Sequence, residues 1–227
     1  MNICTIITAR GGSKGIPRKN IKNLNGKPVL AYSIEPSVAC DLIKQTYVTT
    51  EDEEISKISK EYGAKIIDRP QELAEDTSSS VDVVLHALKH LEKNGEMPDF
   101  FVLLQPTSPL RTTEDIENAI KLFIENKCDA LISVCELDHT SMLSLTLENK
   151  FLVPNCNEKF LNKRRQDLPT YYSPNGAIYI TTYDSLNKNR TFIPKKTIPY
   201  IMPKDRSVDL DTPFDFKLAE FLLKNKV

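Results

Sequence analysis

Two short stretches carry residues of a type and spacing that could do chemistry. The first is "TARGGSKGIPRKNI", Thr8 to Ile21, with Gly11, Gly12 and Gly15 set among Arg10, Ser13, Lys14, Arg18 and Lys19. Glycines let a backbone approach a ligand closely, and backbone N–H groups beside several cations suit a triphosphate. The order does not match the G-x-x-x-x-G-K-[ST] spacing of a P-loop. It does not match G-x-G-x-x-G opening a helix either, because Pro17 turns Ile16 away from helical geometry. The second stretch is "SVDLDTPFDF", with Asp209 and Asp211 at alternate positions. In an extended segment such residues face one side, and two carboxylates there can hold a divalent ion that also meets substrate phosphates. A competing role is a cap: Asp211 or Thr212 can start the helix that follows, with Pro213 in its first turn. The two roles can coexist.

Other candidates are weaker. "LLQPTSPLR" leaves an apolar strand for a turn stiffened by Pro106 and Pro109, which reads as a substrate wall or as a plain connection with Thr107 or Thr112 near a helix cap. His86 and His90 stand four apart, yet both fall opposite the apolar face set by Val84, Leu88 and Leu91, so a solvated face is the expectation. Arg164 and Arg165 can clamp a carboxylate, contact another subunit or stay on the surface. Asn175-Gly176 reads as a tight turn before an apolar strand. Nothing resembles a nucleophile beside a base, so covalent catalysis is not indicated.

The elements that must position these residues alternate. "NICTIITA", "QTYVTT", "AKIID", "DFFVLLQ" and "DALISVCE" read as strands. Between them "KPVLAYSIEPSV", with Pro28 near its start, "DEEISKISKEYG", "DTSSSVDVVLHALKHLEKNG" and "TTEDIENAIKLFIENK" read as helices. That alternation predicts βαβ units and a mainly parallel sheet with helices on both faces. Ligands in such sheets bind beyond the carboxyl ends of the strands, so the glycine loop and "QPTSPLR" share one rim. From Leu137 to about Pro174 the text turns irregular and reads as an insertion. "NGAIYITTYDSL", "IPYIMP" and "TPFDFKLAEFLLKNK" then give a strand with a short helix, a strand and a closing helix.

The totals set bounds. The chain has 227 residues, enough for one sizeable core but not for a clean split into two domains. A net charge of −1 does not suggest a general nucleic-acid binder or a membrane-surface protein, although a local basic cluster can still matter. Five scattered cysteines without C-x-x-C point to a reducing cytosol. No signal-peptide pattern opens the chain and no apolar run is long enough to span a membrane.

Taken in order, "ARGGSKGIPRKN", "NGKP", "QPTSPLR", "PNGAIYI" and "DLDT" resemble the cytidylyltransferases that make CMP-sugars from nonulosonic acids, the CMP-sialic acid synthetase family. The resemblance covers almost the whole chain. It implies a three-layer, Rossmann-like nucleotidyltransferase sheet in one domain, residues 1–227, with an inserted dimerisation arm at about 138–170. It also implies a cytoplasmic homodimer that takes CTP, a nonulosonic acid and Mg²⁺, and releases pyrophosphate. Carried over residue by residue, Arg10, Gly11, Gly12, Ser13, Lys14 and Lys19 fall in the loop that holds the CTP phosphates, and Asn20 at its nucleotide edge. Arg69 and Ser80 match positions near cytosine and ribose. Gln105, Tyr179 and Phe192 match the sugar pocket, and Arg165 a basic residue that reaches across the dimer. Asp209 and Asp211 match the metal carboxylates.

One departure bears on the substrate. Neuraminic-acid enzymes of that family can carry basic residues in the arm and just before "PNG". Here the text is "HTSMLS" and "YYSPNG", with Ser173 at the second place. That points away from plain N-acetylneuraminate and toward a bacterial relative such as legionaminic acid. A synthetase for Kdo or pseudaminic acid, and a non-catalytic nucleotide-binding module of the same fold, remain alternatives. The sequence leaves the general base open.

Overall fold

The computed structural model describes residues 1–12, 15–138, 144–155, 160–161 and 163–225. The first strand, β1 (Ile3–Thr8), is buried on both sides: Ile3 and Ile7 face one apolar cluster, Cys4 and Ile6 the other. A run without polar alternation is what a central parallel strand requires. Next comes a hairpin of two short strands, β2 (Asn23–Leu24) and β3 (Lys27–Pro28), turned by Asn25 and Gly26 at φ 47° and 94°. Both turn residues are left-handed, the geometry for which Asn-Gly is preferred. Pro28 therefore lies in this hairpin and not in the following helix, contrary to the reading of "KPVLAYSIEPSV". Helix α1 (Ala31–Val38) starts only after it.

The chain then alternates through β4 (Gln45–Thr50), α2 (Glu53–Glu61), β5 (Lys65–Asp68), α3 (Ser80–Lys93), β6 (Phe100–Leu104), α4 (Thr113–Glu125) and β7 (Ala130–Glu136). Local chemistry sets the boundaries. Asp52 caps α2 by accepting the Ile55 N–H, and Ser79 caps α3. Thr112 and Asp115 form a reciprocal capping box on α4. Gly63 and Gly95 take positive φ just beyond α2 and α3.

A hairpin of β8 (Leu145–Glu148) and β9 (Phe151–Pro154) occupies the region read as an insertion. Then β10 (Tyr172–Thr181), α5 (Tyr183–Asn189), β11 (Thr197–Met202) and α6 (Pro213–Asn225) complete the chain. Pro213 is the first residue of α6, as expected.

Seven strands form the central sheet in the order β11-β7-β10-β6-β1-β4-β5. All are parallel except β10, which runs antiparallel between β6 and β7. Residues of α1, α2 and α4 cover one face and residues of α3 and α5 the other, giving the predicted three layers. A third cluster joins α6 to the β2–β3 hairpin through Leu24, Tyr32, Leu210 and Phe216. After β1 the chain builds outward through β4 and β5, then crosses to β6 on the other side of β1. That reversal opens a crevice beyond the carboxyl end of β1.

Asn175-Gly176 is not a turn. The register of β10 against β7 jumps between Pro174 and Tyr179, so four residues of β10 stand opposite Ser133 alone. The result is a bulge inside a long strand, with Gly176 at φ 75°.

Candidate active site

A cleft of about 410 Å³ lies at the crevice beside β1. Its walls hold Arg10, Gly12, Lys19, Asn20, Arg69, Ser80, Gln105, Asp209 and Asp211, nine of the candidates read from the sequence. The volume suits a small-molecule ligand.

The glycine loop is fastened at both ends. Near its start the Gly11 N–H donates to Glu51 Oε1 at 2.7 Å. Gly11 has no room for a side chain, because a Cβ would collide with Asp52. Arg18, left-handed at φ 54°, reaches Asp52 at 2.5 Å and Glu54 at 2.6 Å, in the first turn of α2. The guanidinium beside Asp52 is the main reason that carboxyl lies below the ordinary range, and the Ile55 N–H adds to it. Asn20 is buried and donates to the Arg10 carbonyl at 2.9 Å, which fixes the loop's return. Gly12 faces open space in the cleft. Ser13 and Lys14 lie outside the described residues.

The far end of the loop meets the acidic segment. Lys19 Nζ donates to the Leu210 carbonyl at 2.6 Å and lies 3.4 Å from Asp211 Oδ1. Gly15 packs so tightly that a Cβ would sit 2.6 Å from the Asp211 carbonyl oxygen. Thr212, not Asp211, caps α6: its hydroxyl accepts the Asp215 N–H, and Asp215 accepts the Thr212 N–H at 2.7 Å. Asp211 is thus left with a side chain 74% exposed to the cleft. Asp209 also meets solvent there, yet the surrounding walls push its carboxyl above the ordinary value, opposed by a hydrogen bond with Thr107 and reinforced by Asp211. Two carboxylates that repel each other are a donor set a divalent cation would relieve. Among the described residues no cluster of three or more His, Cys, Asp or Glu forms a metal site. The pair therefore fits a hard ion that draws its other ligands from phosphate and water.

The opposite rim is read less fully by sequence. Arg10 pairs with Asp76 at 2.7 Å and reaches the Ala74 carbonyl at 3.4 Å. Arg69 is buried and donates to the Thr49 carbonyl; burial lowers its pKa to about 10, so it stays cationic at neutral pH. Ser80 opens α3 toward the cleft. Glu75, Asp76, Ser78 and Thr107 line the same space and were missed as site residues. Thr107 belongs to the "QPTSPLR" turn that reads as a substrate wall or as a plain connection, and it lines the cleft.

Two candidates lie elsewhere. Tyr179 and Phe192 pack on each other, centroids 5.5 Å apart, beside the core cluster of α3, and neither lines the cleft. Tyr179 still senses the site: burial, then the charge of Asp209, raise its phenol pKa. Arg165 opens a single 3-10 turn, Arg165–Asp167, and its side chain lies outside the described residues. Arg111 is no surface wall but a fully buried guanidinium, donating to the Ala177 carbonyl at 2.7 Å and to Ser33 Oγ at 2.5 Å. His90 is exposed as expected, whereas His86 is half-buried with Nδ1 inside the protein and its pKa lowered by burial.

Known proteins match this arrangement. The family described as "Cytidylyltransferase" matches residues 4–225. An N-acylneuraminate cytidylyltransferase of Escherichia coli is 34% identical over 99% of this chain and 52% of its own length. A pseudaminic acid cytidylyltransferase of Campylobacter jejuni is 33% identical, over 98% of this chain and 96% of its own. A CMP-N,N'-diacetyllegionaminic acid synthase of Legionella pneumophila is 32% identical, over 99% and 97%. The chain thus spans about half the length of the first of these and nearly all of the other two. Among solved structures, a CMP:2-keto-3-deoxy-manno-octonic acid synthetase complexed with CTP superposes over the whole of both chains with a TM-score of 0.76 at 16% identity. A 4-diphosphocytidyl-2C-methyl-D-erythritol synthase gives 0.69 at 13%. Those structural likenesses show the fold, and the sequence matches run along almost the entire chain, which belongs to the cytidylyltransferase family.

Proposed function

We propose that this protein transfers CMP from CTP to the anomeric hydroxyl of a nonulosonic acid and releases pyrophosphate. The observation that carries the reading is the convergence of Arg10, Lys19 and the Asp209–Asp211 pair on one cleft. Phosphoryl transfer of this kind needs no protein nucleophile; it needs the partners held in line and the developing charge neutralised. Arg10 and Lys19 hold the phosphates, Asn20 braces the loop, Arg69 and Ser80 face the nucleoside, and Gln105 faces the sugar. Asp209 and Asp211 would hold Mg²⁺, which when bound supplies Lewis-acid charge at the phosphates. Three relatives named for sialic, pseudaminic and legionaminic acids favour a nonulosonate over Kdo, whose synthetase is similar in fold at 16% identity. Ser173 in place of a basic residue keeps legionaminic acid the preferred acceptor. Free Cys4, Cys40, Cys128 and Cys135 support a cytoplasmic setting for a step in surface-glycan synthesis.

The test is a CTP- and Mg²⁺-dependent screen of neuraminic, legionaminic, pseudaminic and Kdo acids, read by mass spectrometry for the CMP-sugar. A CMP-nonulosonate product is expected. Product with Kdo alone would overturn the acceptor class. CTP binding without turnover on any acid would make the protein a nucleotide-binding module.

The reading includes a homodimer built through the β8–β9 hairpin, within one domain spanning 1–227. An isolated two-stranded hairpin is marginal in water, yet this one exposes Leu147 at 70%, Phe151 at 74% and Leu152 at 65%. Leu147 and Leu152 stand directly opposite each other. Apolar surface on a projecting hairpin calls for a partner. Leu147→Asp is expected to convert a dimer to a 25.7 kDa monomer in analytical ultracentrifugation. A monomeric wild type would remove the assignment.

A further inference from the structure

The bulge in β10 has a role that the site as described so far does not use. Asn175 is buried and its amide is engaged at both ends, with Nδ2 also 3.4 Å from Met202 Sδ. Oδ1 accepts from Ser133 Oγ at 2.6 Å and from the Ala177 N–H at 3.2 Å, and Nδ2 donates to Ser207 Oγ at 2.9 Å. The backbone N–H of Ala177 fixes which end of the amide is oxygen, so the donor end must face Ser207. Ser207 gives its own proton to the Pro203 carbonyl at 2.8 Å and presents a lone pair to Asn175.

Ser207 stands two residues before Asp209. From there the segment has further ties: Asp209 shares a hydrogen bond with Thr107, the Leu210 N–H donates to the Thr107 carbonyl at 2.9 Å, and Lys19 Nζ donates to the Leu210 carbonyl. Asn175 therefore holds the near end of a segment whose far end is held by the glycine loop. Its neighbours serve the other side of the cleft. The Asn175 carbonyl accepts from buried Ser108 Oγ at 3.1 Å, and a Cβ on Gly176 would collide with Gln105 Oε1.

We propose that Asn175 is a positioning residue: through Ser207 it sets the Asp209–Asp211 segment in register with Gln105, so that one bulge mounts the metal-binding end and the acceptor side together. The inference rests on the metal role given to the two aspartates under the proposed function. Asparagine suits the task because it accepts on one side and donates on the other within one short side chain. Aspartate would turn an acceptor toward Ser207 Oγ, whose proton is already committed.

The experiment compares Ser207→Ala, Asn175→Ala and the double variant. Two readouts are taken: Mn²⁺ affinity in the presence of CTP, by electron paramagnetic resonance, and the Mg²⁺ concentration that half-saturates CMP transfer. Ser207→Ala is expected to weaken both about three- to tenfold, the change that one hydrogen bond sustains, with CTP KM at saturating Mg²⁺ nearly unchanged. Ser207 is half-exposed, so this variant should fold and its result stands even if Asn175→Ala does not. The double variant should match Asn175→Ala, because both cut the same tie. Wild-type metal affinity in Ser207→Ala, or additive losses in the double variant, would overturn the proposal. The Mn²⁺ readout needs no sugar, so a failed acceptor screen leaves it decisive.

Discussion

Asp209→Asn and Asp211→Asn should each lower CMP transfer by about 10²–10³-fold, the usual cost of removing one preorganised electrostatic contact to a transition state. The fold should survive both changes, and the melting temperature of Asp209→Asn should hold or rise. The sign follows from Asp209, whose carboxyl is pushed above its ordinary value by burial, with the charge of Asp211 acting the same way. A raised carboxyl pKa means the folded state favours the protonated, neutral form. Ionised Asp209 therefore costs stability at neutral pH, and a neutral amide removes that cost. Steady-state pyrophosphate release and thermal unfolding monitored by circular dichroism check the two halves separately. Near-normal turnover would remove the metal assignment. Lost activity with a large drop in melting temperature would mean that the carboxylates serve the fold instead.

Arg111→Met should have the largest effect on stability. Its guanidinium is 2% exposed and bridges three elements: the Ala177 carbonyl in the β10 bulge, Ser33 Oγ in α1 and, at 3.5 Å, the Gln105 carbonyl at the end of β6. Burial lowers its pKa to about 9, with Asp115 pulling it back up, and it stays charged at neutral pH. Methionine fills part of the volume but takes the Arg111 donor from the Ala177 carbonyl, leaves Gln105 to its bonds from Ser33 and Ser108, and removes a charge from the surroundings of Asp115. Losses of this kind amount to about 3 kcal/mol or more. For a chain of this size that is roughly 6–12 °C in melting temperature. Arg111→Lys should recover little, because a single ammonium cannot span the fork. A melting temperature within about 2 °C of wild type for Arg111→Met would sink the argument.

Arg111 also shows where sequence reasoning stops. The strands were legible because buried parallel strands are continuous apolar runs, as in "DFFVLLQ" and "DALISVCE". The helices were legible through their caps and periodicity. The loop stood out because glycines and cations follow the first strand, whereas the aspartate pair read equally as ion ligands or as a helix cap until Thr212 was seen to cap α6. What escaped depends on partners distant in the chain. Arg111 meets Ala177 from 66 residues away, and Asn175 meets Ser133 and Ser207 from 42 and 32. Nothing beside Asn175-Gly176 distinguishes a bulge from a turn. Pro28 is a different kind of miss: the Asn-Gly turn between "NL" and "KP" is also a hairpin signal, and the hairpin takes in Pro28, which was read as a helix start. Tyr179 and Phe192 came from family resemblance alone, and packing explains their place beside α3.

The ion pairs around the cleft bear on how a nucleotide is chosen. Its described walls carry three cations, Arg10, Lys19 and Arg69, against four carboxylates, Glu75, Asp76, Asp209 and Asp211. Arg10 is already matched with Asp76, and Lys19 lies beside Asp211. Counted without Lys14 and without an ion on the aspartate pair, these described walls offer a polyanion no net attraction from a Debye length away. Under the proposed function, affinity would arise at contact, as an arriving triphosphate takes Arg10 over from Asp76. Until an ion sits on the aspartate pair, such a cleft draws phosphates weakly by steering from its described walls. It admits the ligand whose shape completes the exchange, which turns charge from a lure into a lock.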